Sequence, residues 1–245
     1  VRKVETAWGI EAEAALESLD PAGSPRLAFL RRAPEGIRSG PGTLLCLSAS
    51  FNPLTVAHLA LGGEAARIIP PDETLFLLAR TNVDKPVDGL PLAVRLALLA
   101  HYAAGRPTLS VAAVSHGRFA DKATAILPHY PPGTRLLFAL GFDTLIRLFD
   151  RKYYTDMEAE LSGLFAVAEI LAANREPAPP AAVRAFLERP DVRPFRSRIH
   201  PLRLPARIAA LSATAARERM ARGESPAGLV PAEILPFLRS VKCSE

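Results

Sequence analysis

Short apolar runs alternating with stretches of helical character constrain this chain more than any other feature. The runs are Thr43–Leu47 (TLLCL), Thr74–Leu78 (TLFLL), Leu109–Val114 (LSVAAV), Arg135–Leu140 (RLLFAL) and Phe165–Leu171 (FAVAEIL), with a shorter one at Arg198–Leu204. Runs of this length without polar alternation suit strands buried on both faces. Between them the pattern predicts helices after Thr55, over Leu92–Ala104 and Arg118–Leu127, through Phe149, and over Thr155–Leu164. Further helices are expected near Ala181–Glu188, Ala215–Arg222 and Pro231–Val241. Strands alternating with helices imply an α/β fold: a parallel sheet, right-handed crossovers and helices on both faces. Ligands on such sheets sit at the carboxyl ends of the strands. Ser48, Ala79–Lys85 and Gly141–Asp143 all fall at those ends.

Residues 4–19 read as an amphipathic helix with Trp8, Ala12, Ala15, Leu16 and Leu19 on its apolar side, closed by Asp20-Pro21. Leu27–Arg32 fits a short helix or a strand, and Pro34–Gly42 reads as a linker rich in Gly, Pro and Ser. The expected division is a helical extension and linker over 1–42, a packing appendage, and one domain over 43–245. A length of 245 residues, 49% of them hydrophobic, suits that arrangement. The net charge of +5, carried mostly by arginine, favours anionic ligands. The aromatic-plus-basic patterns of RNA-binding modules are missing, so no nucleic-acid partner is expected. Cys46 and Cys243 are too few for a disulfide framework and lack metal-ligand spacing. No leader or membrane-spanning run is evident, which leads to the expectation of a cytoplasmic protein with no membrane partner. An amphipathic helix fits a core or a partner copy equally well, so homo-oligomerisation stays open.

The most informative stretch is Ser48–Leu61, SASFNPLTVAHLAL. It reads as a strand end, a tight turn marked by Asn52-Pro53, and a helix start. Small residues at 48–50 let the backbone approach a ligand. Thr55 and His58, three apart, share a face on the first helical turn. Unbonded N–H groups and the helix dipole favour anions there. A second such start is Leu211–Met220, LSATAARERM: Ser212 and Thr214 stand where an N-cap belongs, and Arg217 follows one turn on. A third element is Gly141-Phe142-Asp143, where glycine permits close approach and the carboxylate can accept hydrogen bonds or cap a helix.

These residues resemble the signatures of the nucleotidylyltransferase superfamily. SFNPLTVAHL is similar to the strand-turn-helix carrying (H/T)xGH, with Ala57 in place of glycine. LSATAAR is similar to ISSTxxR, with Ala213 in place of serine. GFD and the later GLVPAEILPFL resemble elements of the nicotinate/nicotinamide mononucleotide adenylyltransferase-like branch, and the likeness extends over about residues 43–241. It implies a Rossmann-like fold and adenylyl transfer from ATP to nicotinamide or nicotinate mononucleotide, giving a dinucleotide and pyrophosphate. His58 would serve the α-phosphate, with Thr55 assisting. Ser212, Thr214 and Arg217 would hold the β- and γ-phosphates. The backbone of Ser48, Ala49, Ser50 and Phe51, with Gly141 and Asp143, would hold the adenosine half. Mg2+ would ride on the phosphates rather than in a carboxylate cage. Lys85 is a candidate for the acceptor phosphate. Arg95 and Lys122 fit solvated helix charges as well as active ones.

The acceptor subsite departs from the branch. The tryptophan expected after the third strand is replaced by Ser115-His116-Gly117-Arg118-Phe119, and the chain's one tryptophan is Trp8. Phe119 or His116 is then the candidate to stack on an acceptor ring. Another phosphate acceptor, or a nucleotide-binding regulator without turnover, stays open at this level.

Overall fold

The computed structural model describes residues 7–81 and 89–240. Helix α1 (Ala7–Glu17) leads to strand β1 (Leu27–Arg31). Then follow β2 (Thr43–Ser48), α2 (Val56–Ile68), β3 (Glu73–Ala79), α3 (Leu92–Ala103), β4 (Leu109–Val114) and α4 (Phe119–Ile126). The second half runs β5 (Arg135–Gly141), α5 (Phe142–Leu148), α6 (Met157–Val167), β6 (Ala168–Ala173), α7 (Pro180–Leu187) and β7 (Ile199–Leu202). Helices α8 (Ala206–Ala209), α9 (Ala213–Ala221) and α10 (Leu235–Ser240) close the chain.

The sheet has seven strands in the order β1-β4-β3-β2-β5-β6-β7. Neighbours from β4 through β7 are parallel, and β1 runs antiparallel along β4. Strand β2 has the earlier crossover units on one side and the later ones on the other. The chain therefore switches direction across the sheet between β2 and β5, which opens a crevice at their carboxyl ends. Two apolar layers cover the sheet. One joins α1, α2, α3 and α9 to side chains such as Leu45, Leu47, Leu78 and Val111. The other joins α4, α5, α6 and α7 to Leu44, Cys46, Leu77 and Phe138. Alternate residues of one strand thus face opposite layers, so both sets must be apolar.

The sequence-level fold expectation stands, with local corrections. Leu27–Arg31 is a strand, and it pairs with β4 in the same sheet. Helix α1 packs into the same layer as α3, so this leading segment is woven into the sheet and its covering helices. Helix α6 runs to Val167, so β6 starts later than the apolar run Phe165–Leu171 suggested. Leu161, Leu164 and Phe165 are buried from the helix at three- and four-residue spacing. An apolar run carries no signal of where helix yields to strand.

Residues 33–37 are tied to the sheet through Glu73, which is fully buried at the start of β3. Its carboxylate accepts from Ile37 N–H (2.8 Å), Ser110 Oγ (2.6 Å) and Tyr130 Oη (2.7 Å). Gly36 lies so close to the same carboxylate that a Cβ there would overlap it. Glu73→Ala would strand these buried donors, and a loss of about 3 kcal/mol is expected. Urea unfolding should show it as a lowered midpoint at unchanged slope.

Candidate active site

A cleft of about 720 Å³ opens at the carboxyl ends of β2 and β5. Most of the residues singled out from the sequence line it: Ser48, Ala49, Ser50, Thr55, His58, Gly141, Asp143, Ser212, Thr214 and Arg217. Phe51 does not. Its ring is buried, stacked on Phe76 (5.5 Å) and tilted against His58 (5.0 Å). Its backbone occupies the left-handed region (φ 42°), a conformation costly for a side-chain-bearing residue. Phe51 therefore supports the turn from beneath. Lys85 lies outside the described residues.

The α2 start is built around the Thr55–His58 pair. Thr55 is the N-cap and is almost fully buried. Its carbonyl accepts from His58 N–H (3.1 Å), and its own N–H donates to His58 Nδ1 (3.0 Å). Thr55 Oγ1 lies 2.9 Å from the same ring nitrogen. A nitrogen that accepts a backbone N–H carries no proton, which assigns the proton of the neutral ring to Nε2. His58 thus offers a donor from a fixed ring. Burial, and next the charge of Arg175, push its pKa down to about 4. Thr55 acts as a positioning residue through its backbone, and this is why a threonine can fill the place.

The α9 start faces the same cleft from the other end of the chain. Ser212 is its N-cap, with Oγ accepting from Ala215 N–H (3.2 Å). Thr214 lies within the first turn and accepts from Arg217 Nη2 (3.3 Å). Arg217 Nη1 donates to the Asn52 carbonyl (2.9 Å), so the guanidinium ties α9 to the β2–α2 turn. Arg217 still lines the cleft while making these contacts. Gly89, at φ +97°, is packed against this junction. A Cβ there would stand 2.7 Å from Arg217 Cδ and 2.8 Å from Asn52 Oδ1.

Asp143 is exposed and pairs with Arg175 (3.3 Å). The cap of α5 is Gly141, so the alternative reading of Asp143 as an N-cap does not hold. It is the one carboxylate among the described lining residues, against Arg95, Arg118, Arg147, Arg175, Arg217 and Lys122. This imbalance gives the cleft a positive potential suited to polyanions. Among the described residues no group of three His, Cys, Asp or Glu side chains could hold a metal.

Arg95 and Lys122 were ambiguous in the sequence because each sits on a helix of otherwise ordinary pattern. Both are buried and line the cleft. Arg95 Nε donates to the Leu90 carbonyl (2.6 Å) and Nη1 to the Ser50 carbonyl (3.4 Å). Burial, then the neighbouring Arg217, push its pKa down to about 10. Lys122 Nζ lies over the Phe119 ring (4.4 Å), and burial pushes it down to about 8. Of the two candidate stacking residues, Phe119 lines the cleft. His116 does not, and its Nδ1 lies 2.7 Å from Ser115 Oγ. Trp8 packs against the core from α1.

No protein-family model matches the chain. A Chromohalobacter salexigens protein named "Probable nicotinate-nucleotide adenylyltransferase" is 30% identical over 206 residues, covering 78% of this chain and 90% of that protein. A Schizosaccharomyces pombe protein, whose name proposes a nicotinamide mononucleotide adenylyltransferase, is 36% identical over 138 residues. That match covers 53% of this chain and spans about half (52%) of the relative's length. Among solved structures, the Plasmodium falciparum nicotinic acid mononucleotide adenylyltransferase complexed with NaAD superposes with a TM-score of 0.56 at 13% identity. It covers 81% of this chain and 95% of that one, a likeness of fold.

Two outcomes test the geometry. A His58 held neutral in the folded chain titrates near 6.5 when unfolded. Between those values the unfolded chain binds more protons, so stability falls as pH falls from about 6.5 to about 4. The stability gap between wild type and His58→Gln should therefore shift in favour of the variant on going from neutral to acid pH, as read by urea midpoints. Gly89→Ala should loosen the Arg217–Asn52 junction, and weaker ATP binding by on the order of tenfold is expected in calorimetric titration.

Proposed function

This chain belongs to the nicotinate-nucleotide adenylyltransferase family, and from that premise we propose that it joins ATP to a pyridine mononucleotide, releasing pyrophosphate. The acceptor's 5′-phosphate oxygen attacks the α-phosphorus in line. The bond from that phosphorus to the pyrophosphate oxygen breaks, and no covalent enzyme intermediate forms. The observation that carries this reading is the convergence of two helix N-termini and the His58 Nε2–H donor on one cationic cleft.

Two phosphate-bearing substrates repel one another, so the protein's task is to hold them close and to neutralise the charge that grows on the transferring group. In this reading His58 Nε2–H donates to an oxygen of the α-phosphate. Its ring cannot turn, because Thr55 holds Nδ1. The N-terminus of α9, with Ser212 and Thr214, takes the β- and γ-phosphates, and Arg217 supports that corner. The backbone at Ser48–Ser50, Gly141 and Asp143 receive the adenosine half. Lys85 is assigned to the acceptor phosphate. Arg95 holds the carbonyls of Ser50 and Leu90 and so keeps the β2–α2 turn in shape.

Magnesium is proposed to enter on the triphosphate. A cleft with Asp143 as its one described lining carboxylate fits an ion held by phosphate oxygens and water. Such an ion would add charge neutralisation to the phosphates. The rest of the work falls to the chain's own groups.

Pyrophosphate release measured with ATP, magnesium and either nicotinate or nicotinamide mononucleotide tests the proposal. Release should require a mononucleotide, and His58→Ala should lower kcat by on the order of a hundredfold or more with ATP binding largely kept. ATP binding with no acceptor-dependent release from either mononucleotide would overturn it.

A further inference from the structure

Lys122 is a charged group lining the cleft that the proposed phosphate chemistry does not use. The residue is 6% exposed, and it reaches the cleft from α4. Its neighbour is aromatic: Nζ lies 4.4 Å from the centre of the Phe119 ring. Among the described residues no hydrogen-bond acceptor and no ion-pairing carboxylate meets Nζ. The charge of Asp121 acts on the amine, but its carboxylate hydrogen-bonds Arg118 at 3.0 Å and 3.4 Å and not Nζ. Cys46 lies close enough to act on the amine, but burial pushes its thiol up, so it stays uncharged at neutral pH. A buried ammonium without a hydrogen-bonded anion is costly, and such a group lining a cleft is a candidate to meet a charged ligand.

The position of Lys122 narrows what that partner is. His58, Arg95 and Arg217 belong to α2, α3 and α9, which pack on one face of the sheet. Lys122 belongs to α4, which packs on the other. Asp143 and Arg175, beyond β5 and β6, stand on the half assigned to adenosine. Lys122 rises beside Phe119, on the β4 half, which leaves it the far end of the acceptor. Stacking of an acceptor ring on Phe119 is restricted, since one face of that ring carries Nζ and the ring packs T-shaped against Phe138 (5.1 Å). The subsite is therefore built to read charge rather than to stack.

We propose that Lys122 is a specificity-determining residue that pairs its ammonium with a carboxylate on the acceptor's ring, so that the cleft takes the acid mononucleotide in preference to its amide. This rests on the pyridine mononucleotide reading above. An amide presents no charge to the buried ammonium. The acid supplies a hydrogen-bonding anion and forms a charge-assisted hydrogen bond with the buried amine. The cost of burying the lysine is offset only in the acid complex, and discrimination follows.

Calorimetric titration of nicotinate mononucleotide and nicotinamide mononucleotide into wild type, Lys122→Met and Lys122→Gln tests this without requiring turnover. Wild type should bind the acid at least about tenfold more tightly than the amide. Both variants should lose that preference, to within about threefold, with amide affinity retained. Retained amide affinity and an unchanged melting temperature show that the variants are folded. An acid-to-amide ratio that survives both substitutions, or a wild type that prefers the amide, overturns the assignment. Pyrophosphate release separates the two levels. If both mononucleotides bind and turn over but the ratio ignores Lys122, this inference alone falls. If neither binds wild type while ATP does, the pyridine acceptor falls and this inference with it.

Discussion

The turn between β2 and α2 leaves the hydrogen-bonding ladder while still at the heart of the molecule, and the site depends on how its polar groups are satisfied. Buried backbone groups must find partners. Here the partners come from far along the chain. The Ser50 carbonyl faces Arg95 from α3, the Asn52 carbonyl accepts from Arg217 of α9, and Val56 N–H donates to the Leu229 carbonyl. Asn52 Oδ1 in turn accepts from Leu90 N–H. Phe51, in a left-handed backbone conformation, fills the space below with its ring. These contacts hold the α2 N-terminus, and with it His58, at the mouth of the crevice.

The same contacts explain why the two helix starts at the cleft form one site. A helix N-terminus attracts anions weakly on its own. Placing a second one across the crevice, linked to the first through Arg217 and Asn52, fixes the distance between them. Preorganised donors of this kind need not reorganise as charge develops. His58 fits the pattern, since a neutral ring with an assigned donor nitrogen is ready before a ligand enters. The Arg95 side chain, buried and drawn to two carbonyls, contributes to shape first and to the positive field second.

Much of this was legible in the sequence. Continuous apolar runs gave the central strands nearly to the residue, because strands buried on both faces leave no room for polar alternation. Ser212 was readable as an N-cap, and Thr55 and His58 as partners on one turn, because local hydrogen bonding fixes such positions. Where the signal was ambiguous, the outcome turned on distant contacts. Leu27–Arg31 became a strand because β4 offered an open edge. Phe165 stayed helical because its neighbours at helical spacing were buried with it. Arg95 and Lys122 fitted solvated positions, because no periodicity tells an arginine in a helix that a crevice lies beside it.

The sequence by itself determined the order of strands and helices, the places where helices begin, and the polar residue types that cap them, since these follow from short-range sterics and hydrogen bonding. The tertiary structure alone decided that residues more than 150 positions apart share one cleft. It decided that Phe51 lies under the turn, that Asp143 pairs with Arg175, and that Lys122 is buried on the far face of the sheet from His58. The reason is physical. Burial and charge pairing are properties of the packed sheet and its two helical layers, and they exist only once the crossovers have brought the strand ends together.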